Sequence, residues 1–337
     1  MVYIWEPGVN KVREEILSAL RDAGGVVSGQ RLCEDFGVSR AAISKHVREL
    51  RKLGYEIESV PRLGHRLVSS TDLPIEIEVS RYLKTSTIGR HYVFEKEMPS
   101  TNSFLGNLAV SKCHDGMVVV ADRQTGGRGR MQRTWHSPAG VNLYFSVLLQ
   151  PPKSPSEIPE LALVAAWAVV RAMNAVAPTV DAGVKWPNDV LVGGLKLAGI
   201  LCEMQAETDV IHKVILGIGL NVNLTRKQVP ADLRRRATSL RMETGDVLSR
   251  PRVMGEILNS LEKGYRRWLK DGLGSFLPEL EERSVLTGKK VRVKTFGKRI
   301  EGVVAGMSAD GGLVLKEGRK KRTVYSGEVT LVRPRAG

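Results

Sequence analysis

ADRQTGGRGRMQRTWHSPAG, residues 121–140, is the stretch from which both the fold and the chemistry of this chain can be approached. Its glycines, Gly126, Gly127 and Gly129, interleave with Arg128 and Arg130, which predicts a mobile loop carrying two permanent cations. Guanidinium groups on such a loop bind carboxylate or phosphate as a two-pronged fork. Segments rich in Gly and Arg also bind RNA without becoming ordered, so this stretch alone leaves both interpretations open.

Strand-like runs lie on both sides of this loop and alternate with helices that start near Ser100, Pro159 and Pro251. This alternation predicts an α+β catalytic domain with a mixed sheet over residues 71–283, entered through a polar linker, TDLPIEIE. The strand-like runs are HYVFEKE, GMVVVADRQ, VNLYFSVLL, KLAGILCEMQ and KVILGIGLNVN.

Residues 1–70 have the pattern of a winged helix-turn-helix. Helical spacing over residues 9–23 is followed by the short helix SGQRLCEDF, and Ser39 caps a third helix, SRAAISKHVRELRKLG. YEIESVPRLGHRLV predicts a β-hairpin that forms the wing, and His46 is expected to face outward from the third helix. A helix bundle that only contacts protein is the alternative. The side chains expected to meet DNA are Arg40, Ser44, Lys45, Arg48 and Arg62.

Residues 284–337 contain five short β runs separated by the turns FGKR, ADGG and EGRKKR, which predicts a small β-barrel. This segment carries +9 of the formal net charge of +15. Such a charge would steer an acidic acceptor protein or a triphosphate, although an ordinary solvated surface explains it equally well.

Other motifs in the middle of the chain have two interpretations each. In VKWPNDVLVGGLKLAGILCE, Lys185 is predicted at the end of a short strand, either partly desolvated beside Trp186 or simply solvated. Ser100, Thr101 and Asn102 either cap a helix or bind a small polar ligand. GIGLNVN fails the dinucleotide fingerprint and no GxxxxGK[ST] occurs, which excludes an ordinary P-loop enzyme.

Composition narrows the class of protein further. The start MVYIWEPGVNKVREE has no apolar run before a cleavage site, and the longest apolar stretch, residues 161–170, is half the length of a membrane span. Cys33, Cys113 and Cys202 have neither paired nor metal-ligand spacing. We therefore expect a cytoplasmic protein with no membrane partner and no metal-ligand cluster.

The order of the motifs resembles one family. PSTN, QTGGRGRxxRxW, SPxGxNLY, KWPND, KLAGIL, GIGLNVN and ATSL follow one another as in the biotin protein ligases. The SRAAISKHV helix and the wing resemble the bifunctional branch of that family, the biotin operon repressors. The resemblance implies a central domain similar to class II synthetases and a C-terminal barrel similar to Src-homology-3 domains.

The resemblance also implies roles for individual residues. Arg128, Arg130 and Lys185 would be catalytic, and Lys185 would contact the biotin carboxyl oxygen. Met131, Gln132 and the spacing from Glu328 to Arg333 depart from the family pattern. The residues implied to bind biotin are Ser100, Thr101, Asn102, Gln124, Arg128, Gly129, Arg130 and Lys185, and those implied to form the adenylate pocket are Trp135, Gly199, Leu201, Gly219 and Asn221.

The reaction that the resemblance implies uses biotin and ATP, with Mg²⁺, to form biotinyl-5'-AMP, and then transfers biotin to a lysine of a biotin carboxyl carrier protein. The repressor branch implies a homodimer that forms when biotinyl-AMP is bound and that binds operator DNA of biotin synthesis genes. Two other functions stay open at this point: a ligand-sensing transcription factor without ligase activity, and an octanoyl or lipoyl ligase.

Overall fold

The computed structural model describes residues 9–207, 210–295 and 297–332, so the expectations for residues 1–8 and for Arg333 lie outside the described residues. The helices are α1 (Val9–Asp22), α2 (Gly29–Phe36), α3 (Arg40–Lys52), α4 (Glu76–Val79), α5 (Thr101–Asn107), α6 (Leu161–Val176), α7 (Leu240–Thr244), α8 (Arg250–Asp271) and α9 (Leu277–Glu282). The strands are β1 (Glu56–Val60), β2 (Gly64–Ser69), β3 (Tyr92–Met98), β4 (Val118–Gln124), β5 (Leu143–Leu149), β6 (Ala182–Lys185), β7 (Asp189–Val192), β8 (Leu195–Glu207), β9 (Val210–Leu220), β10 (Lys290–Lys294), β11 (Arg299–Met307), β12 (Leu313–Glu317), β13 (Lys320–Val324) and β14 (Glu328–Leu331).

The N-terminal helices begin where their capping residues predict. The Ser28 hydroxyl accepts a hydrogen bond from Arg31 N at 3.0 Å, and the Ser39 hydroxyl accepts one from Ala42 N at 3.2 Å. Each cap satisfies a backbone N–H that the first helical turn would otherwise leave without a partner. Together with the antiparallel β1–β2 hairpin, these helices form the predicted winged helix-turn-helix.

The segment predicted as a polar linker is instead a packed joint between the N-terminal and central parts of the chain. Glu78 in α4 is 2% exposed, and its carboxylate accepts hydrogen bonds from Arg21 at 2.5 Å, Tyr55 at 2.6 Å and Arg81 at 2.8 Å. Burial of a carboxylate is tolerated because these donors replace its water. The sequence prediction was wrong here, since the partners come from distant elements.

The central domain is built on a seven-stranded mixed sheet with the order β3-β4-β5-β9-β8-β7-β6. β3 and β4 are parallel, and the other neighbouring strands are antiparallel. Side chains alternate between the two faces of each strand. In β9, Leu216 and Ile218 join the large core that contains residues of α6 and α8, whereas Ile215 joins a smaller cluster with Leu105 of α5.

The segment Ile158–Val176, which includes α6, is apolar enough by composition to cross a membrane, but most of its side chains are buried against the rest of the protein. Residues of α6 such as Leu161 and Ala165 belong to the same core as residues of α8. This is the arrangement of a core helix, as the sequence predicted.

The C-terminal strands form a separate five-stranded antiparallel sheet with the order β13-β12-β11-β10-β14. Its inner side chains, among them Val291, Val293 and Leu315, are buried, while lysines and arginines alternate with them on the outside. Trp186, directly after β6, donates a hydrogen bond to Gly311 O at 2.8 Å and so attaches this sheet to the central domain.

Candidate active site and nucleic-acid interface

The floor of the candidate site is a patch of glycines on the sheet, covered by one tryptophan. Gly219 of β9 lies opposite Gly199 of β8 in the strand register, and the Trp135 ring packs directly on both. A Cβ atom at Gly219 would lie 2.5 Å from the ring, and one at Gly199 would lie 2.9 Å from it. The first four residues of GIGLNVN therefore end β9, where Gly219 makes room for an aromatic ring, and do not form a phosphate-binding turn.

Asn102 occupies the next row of the same face. Its side chain lies over Gly217, where a Cβ atom would collide with the amide oxygen. The Ser146 hydroxyl of β5 donates to Asn102 Oδ1 at 2.6 Å, and Asn102 Nδ2 donates to a carboxylate oxygen of Glu203 at 2.7 Å. Asn102 is 5% exposed, so these partners fix the orientation of its amide group.

A continuous chain of hydrogen bonds leads from Asn102 toward the loop. Ser146 also contacts the Thr101 hydroxyl at 2.7 Å, and Thr101 donates to Gln124 Oε1 through its backbone N–H at 2.9 Å. Gln124 Nε2 donates in turn to the Ser137 hydroxyl at 3.2 Å. The Ser100 hydroxyl accepts from Ser103 N at 3.4 Å, so Ser100 is the helix cap while Thr101 and Asn102 belong to the polar chain.

The predicted loop brings its two arginines to different partners. Arg128 Nη2 lies 3.3 Å from Glu203, and Arg130 Nη1 donates to Asn188 Oδ1 of the KWPND motif at 3.0 Å. Burial lowers the pKa of Arg130, although the carboxylates of Asp189 and Glu328 oppose that effect. A partly desolvated guanidinium interacts more strongly with an anion than an exposed one does.

Gly127 and Gly129 shape the base of the loop. A Cβ atom at Gly127 would lie 2.6 Å from Trp135 O, and Gly129 N donates to Arg133 O at 2.7 Å, which folds the loop back on itself. Met131 and Gln132, the departures from the family pattern, both have positive φ angles, 55° and 59°. Non-glycine residues rarely adopt this conformation, so the turn holds them at a conformational cost.

Two lysines lie near the loop, and the sequence drew attention only to one. Lys185 ends β6 opposite Asp189, and its charge contributes to lowering the pKa of Glu328, to which the Arg133 hydrogen bond contributes most. Among the described residues Lys185 has no ion pair within 4 Å. Lys196 Nζ instead lies 2.8 Å from Asp189 and 5.1 Å from the centre of the Trp135 ring.

A β-bulge explains why Lys196 reaches the site. The pairing of β7 with β8 shifts between Val190 and Leu191, so that Lys196 pairs with Leu191 and Leu197 is left as the extra residue. A bulge changes the face to which the next side chains point. Simple alternation would place Lys196 on the opposite face from Gly199, yet its amine lies beside that glycine.

Leu201 and Asn221, predicted for the adenylate pocket, lie on the same sheet region. Leu201 is half-buried opposite Gly217 in the register. Asn221 is buried, and its amide donates to Thr238 O at 2.9 Å and accepts from Asn142 at 3.2 Å, so it holds the end of β9. The residues of this region that the sequence did not single out are Ser137, Ser146, Asn188, Asp189, Lys196 and Glu203.

The C-terminal sheet contacts the loop through one ion pair. Arg133 Nη2 lies 2.7 Å from both carboxylate oxygens of Glu328 in β14. The hydrogen bond from Arg133 lowers the pKa of Glu328, so the carboxylate stays ionised over the neutral range. The outer end of the loop is thereby attached to a second structural unit.

The candidate nucleic-acid interface is the exposed side of α3 together with the wing. Arg40, Ser44, Lys45 and Arg48 are exposed on one side of α3, and Arg62 is exposed at the tip of the hairpin. Arg40, Lys45 and Arg48 follow the helical period of about 3.6 residues, so they present one cationic surface.

Three other side chains of this region do not add to this cationic surface. Arg51 donates to Ile57 O at 2.7 Å, and Lys52 Nζ lies 2.9 Å from Glu49, so both are occupied by neighbours. His46, expected to face outward, is half-buried, and burial lowers its pKa with a contribution from Arg13. Because Arg13 belongs to α1, His46 lies toward α1 and does not face outward, which corrects the prediction.

Comparisons with known proteins agree with this architecture. Residues 94–221 match the model of the biotin/lipoate A/B protein ligase family, residues 12–66 match an HTH domain, and residues 287–332 match the biotin protein ligase C-terminal domain. The chain is 37% identical over 321 residues to the bifunctional ligase/repressor BirA of Bacillus spizizenii, covering 95% of this chain and 98% of that protein.

Two further relatives cover different shares of the chain. The bifunctional ligase/repressor BirA of Escherichia coli is 28% identical, over 94% of this chain and 96% of its own. The biotin protein ligase from Aquifex aeolicus in complex with biotin and ATP is 31% identical, with a TM-score of 0.63 over 73% of this chain and 100% of its own. The Aquifex aeolicus chain is matched over its whole length and has no counterpart for about a quarter of this chain.

Proposed function

We propose that this chain, which belongs to the bifunctional ligase/repressor family, activates biotin with ATP, transfers it to an acceptor lysine and represses transcription of biotin synthesis genes. The observation that carries the enzymatic half is the glycine-floored, Trp135-covered face of the sheet, bordered by a loop with Arg128 and Arg130. We place the activity in the cytoplasm.

The polar chain of Thr101, Asn102 and Gln124 provides hydrogen bonds for the ring system of biotin at the inner end of the site. The ring would replace the weakest contacts that these side chains make with the protein, such as the 3.4 Å contact from Asn102 Nδ2 to Leu201 O. A site that hydrogen-bonds the polar groups of a ligand discriminates strongly against analogues that lack them.

The first step joins two anions. A biotin carboxylate oxygen attacks the α-phosphorus of ATP, the bond from that phosphorus to the bridging oxygen breaks, and pyrophosphate leaves. Arg128, Arg130 and a lysine offset the charge that accumulates on the phosphorus oxygens. We assign the lysine role to Lys185, as the motif predicts, and to Lys196, because its amine lies beside Trp135 and Gly199.

Mg²⁺ fits this site as an ion that enters with ATP. The described residues contain no cluster of three metal-ligating side chains, which agrees with the habit of Mg²⁺ to bind phosphate oxygens, water and one or two carboxylates. Asp189 would supply a carboxylate for this ion. Its Oδ1 is buried and, among the described residues, has only the ion pair with Lys196 as a partner. When bound, the ion neutralises phosphate charge.

In the second step the acceptor lysine amine attacks the activated carbonyl carbon, AMP leaves, and an amide forms with loss of a proton. Water would hydrolyse the mixed anhydride, so the loop over residues 126–133 has to exclude it. The Arg133–Glu328 ion pair holds one end of that loop against the C-terminal sheet. The acceptor is a biotin carboxyl carrier protein.

Repression uses the exposed face of α3. Biotinyl-5'-AMP promotes a homodimer, and the dimer presents two such faces to operator DNA. The coupling is reciprocal, because a ligand that favours the dimer also favours operator binding. Sedimentation with and without biotin and ATP tests this part, and a monomer that persists at micromolar concentration with both ligands would contradict it.

Mass spectrometry of the acceptor tests the enzymatic part. The protein, biotin, MgATP and a carrier domain should give a carrier heavier by one biotinyl group, with pyrophosphate released. Lys185→Ala and Lys196→Ala, measured separately for pyrophosphate release, identify which amine serves adenylation. If the wild-type protein gave neither pyrophosphate nor a biotinylated carrier, the remaining function would be a ligand-sensing transcription factor. Transfer of octanoate in place of biotin would indicate a lipoyl-type ligase.

A further inference from the structure

Glu203 lies at the point where the loop meets the wall of the biotin pocket. It belongs to β8, on the same face as Gly199 and Leu201, four and two residues along the strand from them respectively. One of its carboxylate oxygens, Oε2, accepts from Asn102 Nδ2 at 2.7 Å and lies 3.3 Å from Arg128 Nη2. A single oxygen thus serves two groups from two different elements.

The contact with Asn102 is the buried one. Asn102 is 5% exposed, and its amide oxygen is already occupied by Ser146. Because the oxygen end and the nitrogen end of an amide differ only in hydrogen bonding, the carboxylate of Glu203 determines which end points to it. Removal of the carboxylate would leave a buried N–H donor without its strong partner.

The contact with Arg128 is the releasable one. The side chains of Arg128 and Glu203 are 38% and 36% exposed, so solvent weakens their attraction. An anionic ligand at the loop can therefore compete for this guanidinium, whereas Asn102 stays in place. This contact holds Arg128 at the rim of the pocket.

We propose that Glu203 is a positioning residue that fixes the Asn102 amide and docks Arg128, and so couples the biotin pocket to closure of the loop. This rests on the proposed ligase function. Glu203 touches neither the phosphate nor the biotin carboxylate in this role, since its negative charge would repel both anions. It acts through its two partners, and the two contacts should be separable by substitution.

Glu203→Gln keeps an acceptor for Asn102 but loses the charge that attracts Arg128. We expect the KM for biotin to stay within about twofold and the rate at which biotinyl-5'-AMP escapes to rise about two- to fivefold, the range for an exposed ion pair. Glu203→Ala loses both contacts and should also raise the KM for biotin by about tenfold, the cost of a buried donor left unpaired. Escape is measured by trapping released intermediate with hydroxylamine.

The experiment also needs the Glu203→Gln substitution in an Arg128→Gln protein, and a control substitution at another glutamate of β8. Glu203→Gln should add nothing to the escape rate of Arg128→Gln, because the partner through which it acts is already gone. Glu207→Gln, on the same strand with a side chain 86% exposed, should behave as wild type. Equal increases in escape in both backgrounds, or wild-type behaviour of Glu203→Ala, would overturn the proposal.

These outcomes are distinct from failure of the ligase function. If the wild-type protein released no pyrophosphate from biotin and ATP, the function itself would be wrong before any Glu203 variant was compared. If the wild type is active and circular dichroism shows each variant folded, the split between KM and escape rate decides the role of Glu203 alone.

Discussion

Arg250 and Asp122 form a buried ion pair, with Nη1 and Oδ1 2.7 Å apart and the arginine 2% exposed. Asp122 also accepts hydrogen bonds from Gly140 N at 3.1 Å, which joins the two ends of the segment between β4 and β5. The same guanidinium reaches Asp72 at 2.8 Å, near the point where the chain leaves the N-terminal domain. One side chain therefore connects the base of the loop segment to the domain joint.

Substitution of Arg250 should destabilise the protein strongly. Arg250→Gln leaves the Asp122 carboxylate without its buried partner, and we expect the free energy of unfolding to fall by about 3–5 kcal/mol. Asp72→Asn, at the exposed end of the same contact, keeps an acceptor and should cost about 1 kcal/mol. Urea denaturation measures both, and equal losses for the two variants would show that the buried half of the contact has no special weight.

Gly219→Ala should abolish most of the ligase activity without unfolding the chain. The added methyl group would lie 2.5 Å from the Trp135 ring, so the ring and the base of the loop have to move. Misplacement of reacting groups by about an ångström costs on the order of a hundredfold in rate, which is the fall in kcat/KM that we expect.

Gly106→Ala in α5 is the matched control, because its methyl group would meet neighbours only at 3.8 Å, an ordinary contact distance. Biotin transfer to the carrier domain and thermal unfolding are measured for both variants. Normal turnover by Gly219→Ala would mean that Trp135 does not need its place on the sheet.

The contribution of Glu76 to the stability of the protein should fall as the pH rises from about 4.5 to about 7. Burial, with a smaller contribution from Glu14, raises the pKa of Glu76 to about 7. Between pH 4.5, near the pKa of Glu76 in the unfolded chain, and about pH 7, the folded state holds a proton that the unfolded state has lost. This carboxyl group therefore favours folding below that window, and its contribution is lost as the pH rises through it.

Glu76→Gln should remove this part of the pH dependence and make the protein more stable than wild type at pH 8. Urea denaturation at pH 5.5 and pH 8 measures the difference, and Glu97→Gln, at an exposed pair with Arg123, serves as control. An unchanged slope with pH in Glu76→Gln would show that other groups cause it.

Replacement of Arg48 should weaken DNA binding in a salt-dependent way. Arg48 is exposed and, among the described residues, has no acidic partner. Each phosphate contact contributes about 0.9 to the slope of log K against log salt, so Arg48→Ala should lower that slope by about one. Lys52→Ala should leave it nearly unchanged, because Glu49 already neutralises Lys52. Fluorescence anisotropy at several salt concentrations measures the slopes, and identical slopes for both variants would place DNA elsewhere.

The sequence predicted local features well and long-range contacts poorly. The serine caps at Ser28 and Ser39 were readable because capping depends on neighbours three residues away. Arg128 and Arg130 were readable because glycines mark their loop. Lys196 was not, since the bulge at Leu197 that turns it into the site is visible only in the pairing of β7 with β8.

The Glu78 joint and the site carboxylates were missed for a related reason. Glu78 has the sequence context of a solvated helix end, and only the arrival of Arg21 and Tyr55 from another domain explains its burial. In the sequence, Glu203 looks like an ordinary polar residue on a strand with alternating side chains. Its importance comes from Asn102 and Arg128, which are distant along the chain.

The hydrogen bonds at Glu78 join the N-terminal domain to the central domain. Because Arg21 and Tyr55 of the N-terminal domain both donate to one carboxylate of the central domain, these hydrogen bonds restrain rotation of α3 relative to the central domain. In the homodimer that we propose, the catalytic domains then determine the distance between the two half-sites on the operator. In this homodimer, a change in the surface where the two copies meet would change the operator spacing that the protein recognises, without any change in α3.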